Sequence, residues 1–236
     1  MFSSTDDHGG ADTAVKMDAQ YRLQRYVYDW SRKYYLLGRD SLLREIDLDT
    51  DETLLDMGCG TARNLCKLAY HNPGSELFGI DASQAMLDTA LGNLRRHRLY
   101  TGNVRLQQAL AQQVTPASFG RDEPFDHVLF SYVLSMIPDW QAAIEQAISV
   151  LRPGGCLHVV DFSDQQSMPA WFRTMLLGWL KRFHVHPEPA LPGFLQSLTR
   201  QGGQLQLRHL PGRYALIACY RKPDPTAPTL QWMPGE

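Results

Sequence analysis

The stretch LLDMGCGTARNL, Leu54–Leu65, limits the fold more than any other part of the chain. A short apolar run ends in Asp56 and Met57, Gly58 and Gly60 follow with one residue between them, and a helical pattern starts at once. Apolar run, glycine turn and helix in direct succession describe a buried strand feeding a helix that doubles back over it. The alternation recurs downstream. ELFGID reads as a strand and SQAMLDTALGNLRRH as a helix capped by Ser83. NVRLQQA and FDHVLFSY read as strands, WQAAIEQAISVL as a helix ending at RPGG, and CLHVVDF as a fifth strand. AWFRTMLLGWLKRFHV reads as a helix, and QLQLRHL, a Pro-Gly turn and YALIACYRK as an antiparallel hairpin. This order predicts an α/β fold with a doubly wound, mostly parallel sheet, whose ligands bind beyond the carboxyl ends of the strands.

A chain of 236 residues suffices for one domain with short extensions. The expected division is a disordered polar tail at 1–14, a single domain at 15–222 and a proline-rich tail at 223–236. Within the domain, 15–47 reads as a helical cap rich in Tyr and Arg, and 163–195 as a helical insert. A net charge of −2 with no long basic block argues against a nucleic-acid partner. Cys59, Cys66, Cys156 and Cys219 form no C-x-x-C pair, which favours reduced, buried thiols, and no metal is expected. The start MFSSTDDHGG lacks the basic and apolar stretches of a signal peptide. No apolar run approaches the roughly 20 residues that span a bilayer. The expected location is cytoplasmic, with any membrane contact peripheral and on the inner face.

A Gly-x-Gly turn lets a backbone approach a ligand, with helix amides aimed at it, and by itself would fit a nicotinamide dinucleotide. Three details oppose that ligand. The later glycine of the dinucleotide fingerprint is replaced by Arg63. Asp56 beside the turn would repel a pyrophosphate but attract a cationic amino-acid group. Asp81, ending the second strand, is placed to accept both hydroxyls of an adenosine ribose. An adenosine ligand with a cationic amino-acid tail and no phosphate is S-adenosyl-L-methionine. The segments LLDMGCGTARNL, GIDASQAMLDTA, FDHVLFSY and VLRPGGCLHVVDF, in that order, resemble the class I methyltransferase family. The resemblance implies a Rossmann-like sheet of seven strands with a reversed C-terminal strand, and S-adenosyl-L-homocysteine as product. It further implies that Asp56, Gly58 and Gly60 line the methionine end, Asp81 holds the ribose, Ala82 and Met86 flank the adenine, and Leu110 and Ala111 lie near its edge. The chain departs from the family pattern at Ala62, where many relatives have a third glycine, and at Leu110, where many have an acid that contacts the adenine amine.

The methyl acceptor is set by the N-terminal helix, the loop after the fourth strand and the insert after the fifth. The first interleaves Tyr21, Tyr26, Tyr28, Tyr34 and Tyr35 with arginines, a mixture suited to a methylated ammonium beside a carboxylate or phosphate. The insert carries a stripe of Phe172, Met175, Leu176, Trp179, Leu180 and Phe183 with only basic charges, which fits either a core helix or docking on anionic lipid. YVYDWSRKYYLLGRD, SYVLSMIPDW and WLKRFHVHP resemble the N-methyltransferase component of betaine-lipid synthesis, the family that trimethylates diacylglycerylhomoserine. That resemblance implies a lipid amine at the membrane surface as substrate and a companion enzyme that makes the homoserine headgroup. On this reading Tyr28 and Tyr132 tolerate the charge that develops on the amine, and His184 and His186 are candidates to relay its proton. Ser131 and Ser135 line the loop, Arg39 or Arg32 holds a carboxylate of cofactor or homoserine, and Tyr35 contacts the substrate. Set against it is a methyltransferase of another small amine, a phospholipid amine or a quinone-like phenol.

Overall fold

A computed structural model describes residues 36–99, 103–183 and 185–226. The described residues from Leu37 onward form one compact unit. Helix α1 (Arg39–Glu45) leads into β1 (Thr53–Met57), α2 (Arg63–His71), β2 (Glu76–Asp81), α3 (Gln84–Arg96), β3 (Val104–Gln108) and β4 (Phe125–Ser131). Then come α4 (Trp140–Val150), β5 (Leu151–Phe162), α5 (Ala170–Lys181), α6 (Leu191–Leu198), β6 (Gln204–His209) and β7 (Ala215–Arg221). The seven strands lie in the order β3-β2-β1-β4-β5-β7-β6. Pairings among the first five are parallel, while β7 runs antiparallel to both β5 and β6. This is the seven-stranded, mostly parallel sheet with a reversed C-terminal strand that the sequence predicts.

The strands differ as their positions require. All five residues of β1 are buried, because a central parallel strand has helices on both faces. Along the edge strand β6 half-buried and exposed residues alternate. One face packs Phe78, Phe125, Phe130, Leu157 and Leu216 against α4 and α6. Each such side chain contributes about 1.5–3 kcal/mol on burial.

Boundaries moved where local chemistry decides them. Ser83 caps α3, its Oγ accepting from the Met86 amide at 3.4 Å. Helix α2 starts at Arg63, because Ala62 sits in the left-handed region at φ 60° and cannot continue a helix backward. Helix α5 stops at Lys181, before RFHV, and α6 was not anticipated. It opens on Leu191-Pro192 and was hidden by proline and glycine inside its eight residues. Of the expected cap at 15–47, helix is described only at Arg39–Glu45; Tyr28, Arg32, Tyr35 and His184 lie outside the described residues.

Candidate active site

The order β3-β2-β1-β4-β5 puts the reversal of winding between β1 and β4, where a crevice opens at the carboxyl ends of the strands. Three acids stand on that edge: Asp56 in β1, Asp81 ending β2 and Asp161 in β5.

Asp56 is fully buried. Its Oδ2 accepts from Asn64 Nδ2, on the second residue of α2, at 3.2 Å. Its Oδ1 has no partner, and neither has Asn64 Oδ1. Burial pushes the Asp56 carboxyl up to about 7, helped by the charge of Asp81; the Asn64 hydrogen bond and nearby Arg39 act the other way. A fully buried carboxylate with an orphaned oxygen fits a cation, and the ammonium of an amino acid supplies one.

The glycine turn differs from its expectation in one respect. The amides of Gly58 and Cys59 both donate to the Ile80 carbonyl, at 2.9 and 2.8 Å, and the Gly60 amide donates to Asp81 Oδ2 at 2.9 Å. These amides therefore lash the turn to the end of β2 and do not aim at a ligand. A turn with its donors spent on the chain is a poor phosphate cradle, which removes the dinucleotide alternative on geometry. Gly58, at φ 83°, also admits the loop after β4, since a Cβ there would run into Val133 Cγ2.

Asp81 Oδ1 accepts from the Ser83 amide at 2.9 Å, so this carboxylate joins β1, β2 and α3. A carboxylate offers roughly four acceptor positions and can hold the turn while accepting from a ribose hydroxyl. Around it lie the residues expected at the adenine. The Ala82 carbonyl accepts from Gln108 Nε2 at 3.0 Å, and the Ala109 amide donates to the Asp81 carbonyl at 3.2 Å. Met86 is buried in the first turn of α3 and Ala111 is buried in the core, whereas Leu110 is half exposed.

The loop after β4 carries the remaining candidates. The buried hydroxyl of Ser131 has no partner. Tyr132 is held at φ 57°, its hydroxyl donating to the Leu37 carbonyl and its ring edge-on to Phe162 at 4.8 Å. It is buried, and burial together with Tyr214 and Asp161 raises its phenol far above the usual range. The structure makes Tyr132 a post that anchors the loop, in place of the open cation-binding face expected of it. Ser135 is buried with its amide on Asp161 Oδ2 at 3.2 Å, and its carbonyl accepts from the His186 amide at 2.8 Å. The His186 side chain is exposed, so its tie to this site runs through the backbone. Arg39 is buried near both Asp56 and Tyr132, whose protonation its charge affects.

Asp161 escaped the sequence reading. It is fully buried, accepts from its own following amide, Phe162 N, at 2.7 Å, and underlies Ser135. Burial pushes its carboxyl up to about 6 against the pull of these donors and of the neighbouring Ser135 hydroxyl. The signal was present: an acid at the carboxyl end of the apolar run CLHVVDF, where a structural role would call for an apolar residue. Asn64, which orients Asp56, left no comparable signal.

A second polar row lies toward the amino ends of the strands. His127 Nδ1 and His158 Nε2 are 2.9 Å apart with stacked rings, and His127 Nε2 meets Glu52 at 3.1 Å. With Cys156 these histidines bring three metal-ligating atoms within 4.8 Å of one another. The ring nitrogens that face one another are already bonded to each other, and burial holds His158 down to about 3, so this pair is satisfied within the row.

Residues 48–182, more than half of the chain, match the family described as Methyltransferase domain, and the chain belongs to that family. It is an S-adenosyl-L-methionine-dependent methyltransferase. It is 25% identical over 213 residues to the demethylmenaquinone methyltransferase of Geobacillus kaustophilus, covering 88% of this chain and 84% of that one. It is 28% identical over 138 residues to the trans-aconitate 2-methyltransferase of Methylobacterium radiotolerans, covering 56% and 48%. In fold it resembles the Haemonchus contortus phosphoethanolamine N-methyltransferase 2 solved with S-adenosyl-L-methionine, at a TM-score of 0.65 and 14% identity, over 84% of this chain and 56% of that one.

Proposed function

We propose that the methyl acceptor is the amine of diacylglycerylhomoserine, methylated three times to the betaine lipid. The observation that carries this reading is Asp161, a fully buried carboxylate beneath the acceptor loop and a third acid on this edge beyond the two that serve the cofactor. An edge lined by three acids favours a product that gains a fixed positive charge. The resemblance of the loop and insert segments to the betaine-lipid family supports the same acceptor, as does the fold neighbour that methylates an amine.

S-adenosyl-L-methionine supplies a methyl group already activated on a sulfonium. The chain's own residues bind and align. Asp56, oriented by Asn64, accepts from the cofactor ammonium, and Asp81 accepts from the ribose. Ser131 offers its unpartnered hydroxyl on the same edge. Alignment of two bound reactants contributes about 7–11 kcal/mol to such a displacement. The attacking amine must be neutral, and each transfer returns a positive charge to it. Asp161, bonded to the Ser135 amide beneath the acceptor loop, opposes that charge, and the buried rings of Tyr132 and Phe162 pack on one another at the start of the loop. The lipid amine implies a membrane-surface substrate and a companion enzyme that builds the headgroup.

A lipid-tailed quinol is the second reading, favoured by the 25% identity to a demethylmenaquinone methyltransferase over most of both chains. One experiment separates them. The purified protein is incubated with labelled S-adenosyl-L-methionine and either diacylglycerylhomoserine or demethylmenaquinol in nonionic micelles, and the lipids are analysed by mass spectrometry. Gains of one, two and three methyls on the amine, lost in Asp81→Ala, are the expected result. Methylation of the quinol alone would replace the proposal by the second reading.

A further inference from the structure

The buried and exposed faces of α5 separate by turns of the helix. Leu176 and Leu180, one turn apart, are 7% and 1% exposed and anchor it to the body of the protein. Trp171 and Met175, also one turn apart, are 70% and 58% exposed. The stripe expected from the sequence is thus divided: Leu176 and Leu180 go to the core, Phe172, Trp179 and Phe183 are half buried, and Met175 joins Trp171 at the surface. Single exposed apolar residues are ordinary, but two large ones stacked on one helix form a patch.

The charges around the patch have one sign. Arg173, Lys181 and Arg182 are exposed, and residues 165–187 contain no Asp or Glu. A twelve-residue helix is too short to cross a bilayer, and among the described residues no helix is long and apolar enough to do so. Trp at headgroup depth, Met beside it and purely cationic flanks are the pattern of a helix lying in a membrane interface.

We infer that α5 docks this protein on an anionic lipid surface through Trp171 and Met175, with Lys181 and Arg182 meeting the lipid phosphates. The charge complementarity selects anionic lipid over a neutral surface. The segment that follows α5 is tied to the acceptor loop, the His186 amide donating to the Ser135 carbonyl at 2.8 Å. This deepens the lipid-acceptor reading, on which its purpose rests, since an amine at the bilayer surface would meet the loop directly.

The test is sedimentation of the full chain with vesicles of phosphatidylcholine alone or with one-third phosphatidylglycerol. Binding is expected only to the anionic vesicles and is expected to fall steeply with salt. Replacing both lipid-facing cations, Lys181→Gln and Arg182→Gln, should weaken it by about 25-fold, each charge contributing about fivefold, whereas Arg173→Gln, on the far side of the helix, should change it much less. Trp171→Ala with Met175→Ala should weaken it at least about tenfold. These side chains are exposed, so unchanged melting temperatures will show that the variants are folded. No vesicle binding overturns the proposal, as does binding that neither double variant changes. So does self-association abolished by Trp171→Ala with Met175→Ala in the absence of vesicle binding, which would make the occupant a second copy of the chain. The micelle assay keeps the two claims apart: lipid methylation in micelles without vesicle binding sinks the docking and spares the acceptor, and vesicle binding without methylation does the reverse.

Discussion

Gly58 answers two demands at once. Its φ of 83° is open to glycine and costly to other residues, and a Cβ would meet Val133 from the acceptor loop. Gly58→Ala should therefore cost about 2–4 kcal/mol, combining left-handed strain with overpacking, and a thermal melt measures it. Ala62, four residues on, occupies the left-handed region at φ 60° without being glycine. Asp56 is the residue whose charge is most conditional, with its carboxyl pushed up to about 7 by burial. Cofactor affinity should rise between about pH 6 and 8 as this carboxylate ionises to face the ammonium. Asp56→Asn should flatten that rise and weaken binding about 10- to 100-fold at pH 8; titration calorimetry at several pH values reads both.

Among the elements, the acceptor loop depends on a tether that no sequence pattern announced. Tyr132 reaches the Leu37 carbonyl with its hydroxyl while its ring rests on Phe162. Tyr132→Phe should cost about 1–2 kcal/mol in stability by stranding that carbonyl, yet leave turnover within about threefold once the protein is folded. A loss of turnover by orders of magnitude at unchanged stability would return the residue to the chemistry. Helix α4 ends on another such tether: Lys222 Nζ donates to the carbonyls of Ile148 and Leu151 at 2.8 and 2.6 Å. Lys222→Met should lower stability by about 1.5–3 kcal/mol, read by chemical denaturation. The strands were legible in the sequence because burial and the period of apolar residues are local signals, as in the continuous run of β1. Asp56 and the glycine turn were legible because they sit in one short junction, and Asp81 because it closes the next apolar run. Asp161, Asn64 and the role of Tyr132 were not, since each is defined by partners 26, 8 and 95 residues away. Helix α6 failed for a different reason, its proline and glycine opposing the helix that tertiary packing imposes.

For the whole molecule, the two ends of the sheet respond to pH in opposite senses. At the carboxyl ends Asp56 and Asp161 have carboxyls raised to about 7 and about 6, above the ordinary 3.8 of the unfolded chain. The folded state then holds protons that the unfolded state has lost, so each acid lowers stability as pH climbs from about 4 to its folded value. Toward the amino ends His158 is held down to about 3, below its ordinary 6.5, so the unfolded chain binds the proton first and stability rises across the same window. The wild-type curve between about pH 4 and 6 is therefore flatter than either end alone would make it. Removing one acid exposes its share. Asp161→Asn keeps an oxygen for only one of the two amides, Phe162 N on Oδ1 or Ser135 N on Oδ2; that loss is the same at every pH, so its stability relative to wild type should change little with pH below about pH 4. The difference should then shift in favour of the variant by up to about 1.4 kcal/mol per pH unit, levelling off above about pH 6. Urea denaturation of both proteins from pH 4 to 8 gives that difference directly, because His158 and every other group common to the two cancel. A difference that stays constant with pH would mean that Asp161 is ionised throughout, and would remove it as a group tuned by burial to face a cationic product.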